Sequence, residues 1–369
     1  MPNAPLVSVV LPVYNAEPYL RAAVKSLLIQ DYTSLEIVAI DDGSTDRSLA
    51  ILETLQRRDP RLRVVSRENR GIVATLNEGL ALARGTLIAR MDADDISYPH
   101  RISCQVEAFE RDPSLAICGS GYDIILTDRR GLRFSADATA DADLSAYGAF
   151  HTVLAHPTVI FNRAVIGEAE LKYDPKYELA EDFEIFSRIG RQHAISRINA
   201  QLLAYRRHPA SLSTRKSKAV QAATLGIIAE NLAHFGVPAD LERISDLVHT
   251  SGTEANVVEL NRAFAAIQSR IALLEDHVRG ALDQSFRHFV RVTVNALCAR
   301  GDCRAARAFC DEGGYWEVLR RRERLFLRTS RMHPPGSWKR FEAASRRLDV
   351  LRSVPLSSLV PRYREIVDA

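Results

Sequence analysis

Ala89-Arg90-Met91-Asp92-Ala93-Asp94-Asp95-Ile96 is the stretch whose reading decides the fold. It continues the short apolar run Thr86-Leu87-Ile88-Ala89, which is bounded by Gly85 and reads as a buried strand. Three carboxylates then fall within four residues at the strand's C-terminal end. Crowding them costs like-charge repulsion and desolvation, so a cation is expected beside them. Hard oxygen donors favour Mg²⁺ or Mn²⁺, often shared with phosphate oxygens of a substrate. In open α/β sheets, ligands bind beyond the carboxyl ends of strands, where this cluster would lie. The competing reading is a solvated acidic turn ahead of a helix that opens near Pro99.

Working outward, Leu6 to Leu11 is rich in β-branched residues, ends at Pro12 and reads as a buried strand. Val13-Tyr14-Asn15-Ala16-Glu17 makes a loop, and Pro18 suits the first turn of a helix. That helix carries Leu20, Ala23, Val24, Leu27 and Leu28 at core spacing and stops near Asp31. A second strand over Leu35 to Ile40 runs into Asp41-Asp42-Gly43-Ser44-Thr45-Asp46, where Thr45 or Asp46 can cap a helix over roughly Ser48 to Arg58. A strand at Leu62 to Val65 leads to Asn69-Arg70-Gly71 and a helix through Leu82. This alternation with short links predicts a largely parallel, doubly wound sheet. Neither Gly-x-Gly-x-x-Gly nor a phosphate-binding Gly-x-x-x-x-Gly-Lys loop occurs, which argues against dinucleotide and P-loop chemistry. Tyr14 and Asp42 instead end the first two strands. A ring and a carboxylate suit a nucleobase; a packed edge and a turn residue are the alternatives.

Past the acidic cluster, a helix is expected to about Arg111, with strands at Leu115 to Cys118 and Ile124 to Leu126. Residues 135–143 read as a surface loop and His156 to Phe161 as an extended piece. Glu181-Asp182 opens a helix whose apolar face is Phe183, Phe186 and Ile189; there the two acids serve as a helix cap or as chemistry. Ile195 to Tyr205 returns as a strand. The composition changes near Lys216, so 1–215 and 216–369 are expected to be separate domains. The second should be helical, with helices at Val220 to Phe235, Ala255 to Leu274 and Phe286 to Ala299. Between Arg320 and Arg347 basic residues interleave with Leu325, Phe326, Leu327, Trp338 and Phe341. That pattern fits an interfacial helix on anionic lipid, or a solvated basic face.

A net charge of +3 gives no ground for nucleic-acid binding. The five cysteines form no Cys-x-x-Cys pair, against a zinc ribbon or disulfide framework and in keeping with a reducing cytoplasm. Met1-Pro2-Asn3-Ala4-Pro5 carries no basic region and precedes no long apolar run, so no signal peptide is expected. No run reaches the roughly 18 apolar residues of a membrane span.

Four features in this order resemble the family-2 glycosyltransferases of GT-A fold, including enzymes of cell-surface polysaccharide and lipopolysaccharide synthesis. They are Val9-Val10-Leu11-Pro12-Val13-Tyr14-Asn15, Asp41 to Asp46, Asn69-Arg70-Gly71 with Asn77, and Met91-Asp92-Ala93-Asp94-Asp95. Glu181-Asp182 falls where the family carries its acceptor-side acid, and the resemblance spans about Leu6 to Ser213. It implies a Rossmann-like, doubly wound mixed sheet followed by an all-helical region. It implies further that Pro12, Val13, Tyr14, Asn15, Asp42 and Asn69 bind a nucleotide-sugar donor, with uridine diphosphate the default. Asp92 would face the ribose or a metal-bound water, Asp95 would border the sugar, and Asp94 would ligate Mg²⁺ or Mn²⁺. His208 matches a further ligand of some relatives, or is a structural histidine. Asp182 would be the general base, with Glu181 its neighbour. Ile185-Phe186 departs from the apolar-Trp step of many relatives, and no Gln-x-x-Arg-Trp motif is present, favouring single transfer over polymerisation. The implied reaction is metal-dependent and inverting, onto a glycan or lipid-linked acceptor, in the cytoplasm and peripherally at the inner face of the plasma membrane. A sugar-nucleotide-making nucleotidyltransferase and a non-catalytic scaffold are the alternatives.

Overall fold

The computed structural model describes residues 4–127, 130–132, 144–208, 218–250, 254–329 and 337–351, with a few positions beyond. The expected loop at 135–143 and the boundary near Lys216 lie outside the described residues. Two compact units emerge: Met1–Asp141 with Leu154–Lys216 and Arg352–Ala369, and Ala142–Val153 with Ser217–Leu351. The single cut at 215/216 is therefore too simple, because a short segment before Leu154 and the last residues each belong with the other unit.

In the first unit β1 (Val7–Val13), β2 (Leu35–Asp42), β3 (Leu62–Arg67) and β4 (Leu87–Arg90) are parallel in the order β3-β2-β1-β4. Helices α1 (Glu17–Leu28), α2 (Ser48–Gln56) and α3 (Ile72–Leu82) connect them. Every residue of β1, β2 and β4 is buried, which is why these strands read as continuous apolar runs. Pairing of β1 with β4 ends at Val10↔Arg90, whereas β1 stays paired with β2 as far as Val13↔Asp41. Pro12, with no N–H to give, therefore lies beyond the last β4 pair, and β4 is released there into the acidic loop.

Past β4 the sheet is mixed. A two-residue strand β5 (Ile96–Ser97) precedes α4 (Arg101–Arg111), and β6 (Ile117–Thr127) is one strand rather than the expected two. The 3₁₀ turn His156–Thr158 leads into β8 (Ile160–Asn162), which pairs antiparallel with both β4 and β6. β7 (Arg130–Leu132) pairs with β6 and with β10 (Val354–Pro355). Helices α6 (Arg163–Ile166) and α7 (Glu181–Gly190) follow β8, then β9 (Ile195–Arg206), which pairs parallel to β6 and antiparallel to β5.

The strands' N-terminal ends hold an ion cluster centred on the buried Glu36, with Arg63 and Arg84 at the surface. Glu36 accepts from Ser8 Oγ at 2.6 Å, the Arg84 backbone N–H at 2.8 Å, Arg84 Nε at 2.9 Å and Arg63 at 3.2 Å. Burial favours the neutral acid, but these donors win and hold its pKa down to about 2 from 4.5. A depressed carboxylate stabilises the fold above its unfolded pKa and loses that stabilisation as pH falls through the folded one. At about 1.4 kcal/mol per pKa unit the cluster contributes up to about 3 kcal/mol at neutral pH. Glu36→Gln is accordingly expected to lower unfolding stability by about 2–3 kcal/mol at pH 7 and by much less near pH 2. Urea melts at the two pH values test this; equal losses at both would deny Glu36 its electrostatic role.

The second unit is helical: α5 (Leu144–Tyr147), α8 (Lys218–His234), α9 (Leu241–His249), α10 (Glu254–Ile271), α11 (Asp276–Ala299), α12 (Cys303–Gly313), α13 (Arg321–Thr329) and α14 (Ser337–Leu351). Phe264 centres its core, with ring centroids 5.2 Å from Phe289 and 5.1 Å from Phe309. The aromatic residues read as lipid-facing pack on one another: Phe326, Trp338 and Phe341 have centroids 4.9–5.0 Å apart. Phe326, Leu327 and Trp338 are buried, which leaves Leu325 as the exposed apolar side chain of α13. Among the described residues no helix is long and apolar enough to cross a membrane.

Candidate active site

The loops after β1 and β2 are stitched into one rim. Asn15 Oδ1 accepts from the Thr45 N–H at 2.8 Å, and the Asn15 N–H donates to Ser44 Oγ at 3.0 Å. Asp46 accepts from the Glu17 N–H and the Ser48 N–H, both at 2.9 Å, so one carboxylate serves the first turns of α1 and α2. Tyr14 stands 53% exposed at the end of β1, a position open to a planar ligand.

Asp42, buried at the end of β2, accepts from the Arg67 guanidinium, the Arg70 N–H at 2.8 Å and the Gly71 N–H at 3.1 Å. Asn69-Arg70-Gly71 is thus folded around this carboxylate, and Asn69 is exposed. A carboxylate has about four acceptor positions, so Asp42 keeps room for one further donor. Gly43 is required here: its φ is +72°, and a Cβ would lie 2.7 Å from the Asn69 nitrogen. Asn77, on α3, donates to the Tyr173 carbonyl and accepts from its N–H, both at 2.8 Å. That pair fixes the segment that feeds α7.

Beyond β4 the three acids separate. Asp92 is bonded to Arg90 at 2.6 Å, and Asp94 Oδ2 lies 2.8 Å from His208 Nε2. Asp95 is fully buried and accepts from the Arg206 N–H at 2.8 Å. Arg206 also donates from Nε to the Asp94 carbonyl at 2.9 Å, and its guanidinium lies 4.6 Å from the Tyr19 ring centroid. The end of β9 therefore grips the acidic loop, helped by the register Ile96↔Ala204 and Ser97↔Leu203.

Burial and the neighbouring carboxylates push Asp94 above the ordinary aspartate range and Asp95 well above it. One oxygen from each of Asp92, Asp94 and Asp95 lies within 4.8 Å of the others, and Asp95 Oδ2 is buried without a hydrogen-bond partner. This hard, electron-rich set of carboxylates fits a divalent cation; His208 is hydrogen-bonded to Asp94 but lies outside the group of three.

Arg90, fully enclosed, lies among Asp92, Tyr173 and Asp95. Tyr173 Oη is 2.8 Å from His156 Nε2, and burial keeps that histidine neutral. Tyr173 feels the charges of Arg90, Glu181, Asp182 and Asp92, so the first turn of α7 and the acidic loop face a common centre. The capping position of α7 is Ala180, and no side chain caps it. Asp182 is half-buried and accepts from the adjacent Phe183 N–H at 2.7 Å. Glu181 is more deeply buried, with Oε2 unpartnered. Burial and Asp182 push Glu181 up to about 7, and burial raises Asp182 too. Asn15 (φ 50°) and Leu179 (φ 68°) are the non-glycine residues with positive φ among those described; Asn15 lies in the rim after β1 and Leu179 two residues ahead of Glu181.

Arg90, His156, Tyr173 and Arg206 escaped the sequence reading. For Arg90 a signal existed: a charged residue ending a buried strand, directly ahead of the acids, needs a partner. The other three carry no such local mark.

The profile of the family described as Glycosyl transferase family 2 matches residues 8–170. An uncharacterized glycosyltransferase of Haemophilus influenzae is 32% identical over 244 residues, spanning 64% of this chain and 76% of that protein. Chondroitin synthase of Escherichia coli is 40% identical over 114 residues, 31% of this chain and only 17% of that enzyme. Among solved structures, S. aureus TarS 1-349 in complex with UDP-GlcNAc superposes with a TM-score of 0.53 at 17% identity, covering 88% of this chain and 92% of that one. At that identity the likeness speaks for the fold, the GT-A architecture.

Proposed function

The chain belongs to glycosyltransferase family 2, and from that premise we propose an inverting, metal-dependent transfer of one sugar from a nucleotide-diphosphate donor to a glycan or lipid-linked acceptor. The observation that carries this reading is the convergence of the Asp92-Ala93-Asp94-Asp95 loop and the Glu181-Asp182 turn around Arg90 and Tyr173. One set of acids suits a cation and diphosphate; the other suits the acceptor. The donor lies along Pro12, Val13, Tyr14 and Asn15, with its base at Asp42 and near Asn69. Asp92, Asp94 and His208 hold Mg²⁺ or Mn²⁺, with Asp95 beneath them. When bound, the cation neutralises charge on the departing diphosphate. Asp182 takes the proton of the acceptor hydroxyl as its oxygen bonds the anomeric carbon and the sugar–phosphate bond breaks on the opposite face. A UDP-sugar is the first donor to test, since TarS 1-349 was solved with UDP-GlcNAc. The chondroitin synthase match supports a polysaccharide context.

The test is a panel of UDP-, GDP- and dTDP-sugars scored by thermal shift and by nucleotide release, with and without Mn²⁺. One donor should stand out and require metal. Nucleotide release that is equal without metal would overturn the metal-dependent reading.

For the basic tail we propose contact with an anionic membrane surface through charge. Its aromatic residues pack on one another, so Leu325, the arginines of α13 and the exposed Lys339 and Arg340 of α14 are available to meet lipid. Cosedimentation with phosphatidylserine vesicles should fall steeply as salt rises, and neutral vesicles should not bind. Salt-independent binding, or none, would leave a solvated basic face.

A further inference from the structure

The first turn of α7 presents Glu181 and Asp182 although no side chain caps that helix, so its orientation is set by what packs against it. Two clamps act on the segment that leads into it. Asn77 of α3 brackets Tyr173, bonding both its N–H and its carbonyl at 2.8 Å. Arg188, two turns along α7, donates to the Glu170 and Lys172 carbonyls, both at 2.7 Å, and from Nε to Glu184 Oε1 at 2.6 Å. The backbone at Tyr173 is thereby fixed between α3 and α7, with its side chain buried.

His156, in the turn before β8, meets that side chain. Its Nε2 lies 2.8 Å from the Tyr173 hydroxyl, and the two ring centroids are 5.5 Å apart. The same buried imidazole meets the Phe186 ring edge-on, with centroids 5.8 Å apart. Phe186 and Asp182 are four residues apart and share a face of α7, so His156 supports the helix one turn beyond the acid. Three residues after His156, the Val159 carbonyl accepts from the N–H of Arg90, which opens the acidic loop, at 3.0 Å. One turn of chain is thus tied to β4, to Tyr173 and to α7. An apolar pair of the same shape would fill this space about as stably, so the polar pair contributes direction rather than bulk.

We propose, on the premise that α7 supplies the base for sugar transfer, that His156 and Tyr173 are positioning residues that orient the Glu181-Asp182 turn toward the acceptor. Neither exchanges a proton with the substrate. The hydrogen bond fixes the phenol, the edge of the imidazole fixes Phe186, and the helix between them keeps its acids in line. The rim built by the loops after β1 and β2 shares none of these contacts, so the pair acts on turnover and not on donor binding.

The test uses the full chain and the sugar nucleotide that stands out in the donor panel, with water as acceptor and nucleotide release as the readout. Tyr173→Phe removes the hydroxyl and His156→Phe the ring nitrogens, while each keeps an aromatic ring in place. Each should lower kcat by about 10- to 100-fold, with donor affinity by calorimetry unchanged. Both break the same bond, so the double variant should be no slower than the slower single one. His156→Gln, whose amide can still bond the Tyr173 hydroxyl, should keep most of the rate. A lowered melting temperature with kcat unchanged would make the pair a structural contact and overturn the proposal. Losses that add in the double variant, or a donor affinity that falls in step with the rate, would overturn it too. Tyr173→Phe, which deletes a single oxygen, decides the matter if His156→Phe fails to fold. Failure of the transfer reading looks different: wild-type protein would then release nucleotide from no donor in the panel, and the proposal would fall with it.

Discussion

Replacing Asp94 by asparagine is expected to abolish metal-dependent donor turnover while leaving the fold at least as stable as wild type. The amide keeps the side chain's size, but it is a weaker ligand for a hard cation and removes one negative charge from the cluster. Removing a single preorganised electrostatic contact of this kind typically costs about 10²–10³-fold in rate. Asp94 is raised by burial and by Asp92, so the folded protein holds this carboxylate at a cost when no cation is present. The neutral amide would relieve that repulsion, although it weakens the 2.8 Å contact with His208. The signature is thus a split: the melting temperature without metal holds or rises, the metal-induced increase in melting temperature disappears, and turnover is lost. Full activity with unchanged Mn²⁺ dependence would remove Asp94 from the metal site. A protein that unfolds would show that the His208 contact is structural.

Why Asp94 stands out in the sequence while Tyr173 does not is a matter of range. Acids gathered at the end of an apolar run form a local pattern, and so does a strand whose two faces are both buried. The order β3-β2-β1-β4 follows from short right-handed crossovers, which strand–helix alternation already implies. Partners on distant parts of the chain leave no such trace. Asn77 was legible as a motif residue, but its bonds run to the Tyr173 backbone, 96 residues away. The two-residue strand β5 is defined by pairing with Leu203 and Ala204, not by its own composition.

Gly119 and Gly121 fall between the two strands expected at 115–118 and 124–126, yet both lie inside the single strand β6. A Cβ on Gly119 would meet the Leu154 side chain at 2.6 Å, and one on Gly121 would meet the Ala200 carbonyl at 2.9 Å, where the pairing with β9 shifts register. The same ambiguity affects the tail. Phe326, Trp338 and Phe341 among arginines suit a membrane face or a small core equally well until their packing is known.

The second large effect is expected at α7. Asp182→Asn preserves size and polarity but cannot accept the acceptor's proton, so transfer should fall by about 10²- to 10⁴-fold. Donor affinity should barely change, because the proposed donor contacts are on the loops after β1, β2 and β4. Glu181 is the rival base, since its pKa of about 7 is well suited to proton transfer at neutral pH. The two point in different directions from the helix start, so one of them reaches the acceptor. By surface exposure Asp182 is the more open of the two and Glu181, with its unpartnered oxygen, the less. Both are desolvated enough to raise their pKa values, so burial alone does not choose between them. The pH profile helps to separate them. A general base works when deprotonated, so the rate falls as pH drops through its pKa. If Glu181 is the base, the acid limb is centred near 7 and Glu181→Gln abolishes transfer. If Asp182 is the base, Glu181→Gln retains transfer, and Asp182's own raised pKa sets the acid limb. Calorimetry of donor binding and transfer rates for both variants complete the comparison. Collapse in Glu181→Gln with a near-normal Asp182→Asn would move the base one residue back. Near-normal rates in both would take the pair out of the chemistry, leaving an acidic first turn that favours the α7 dipole.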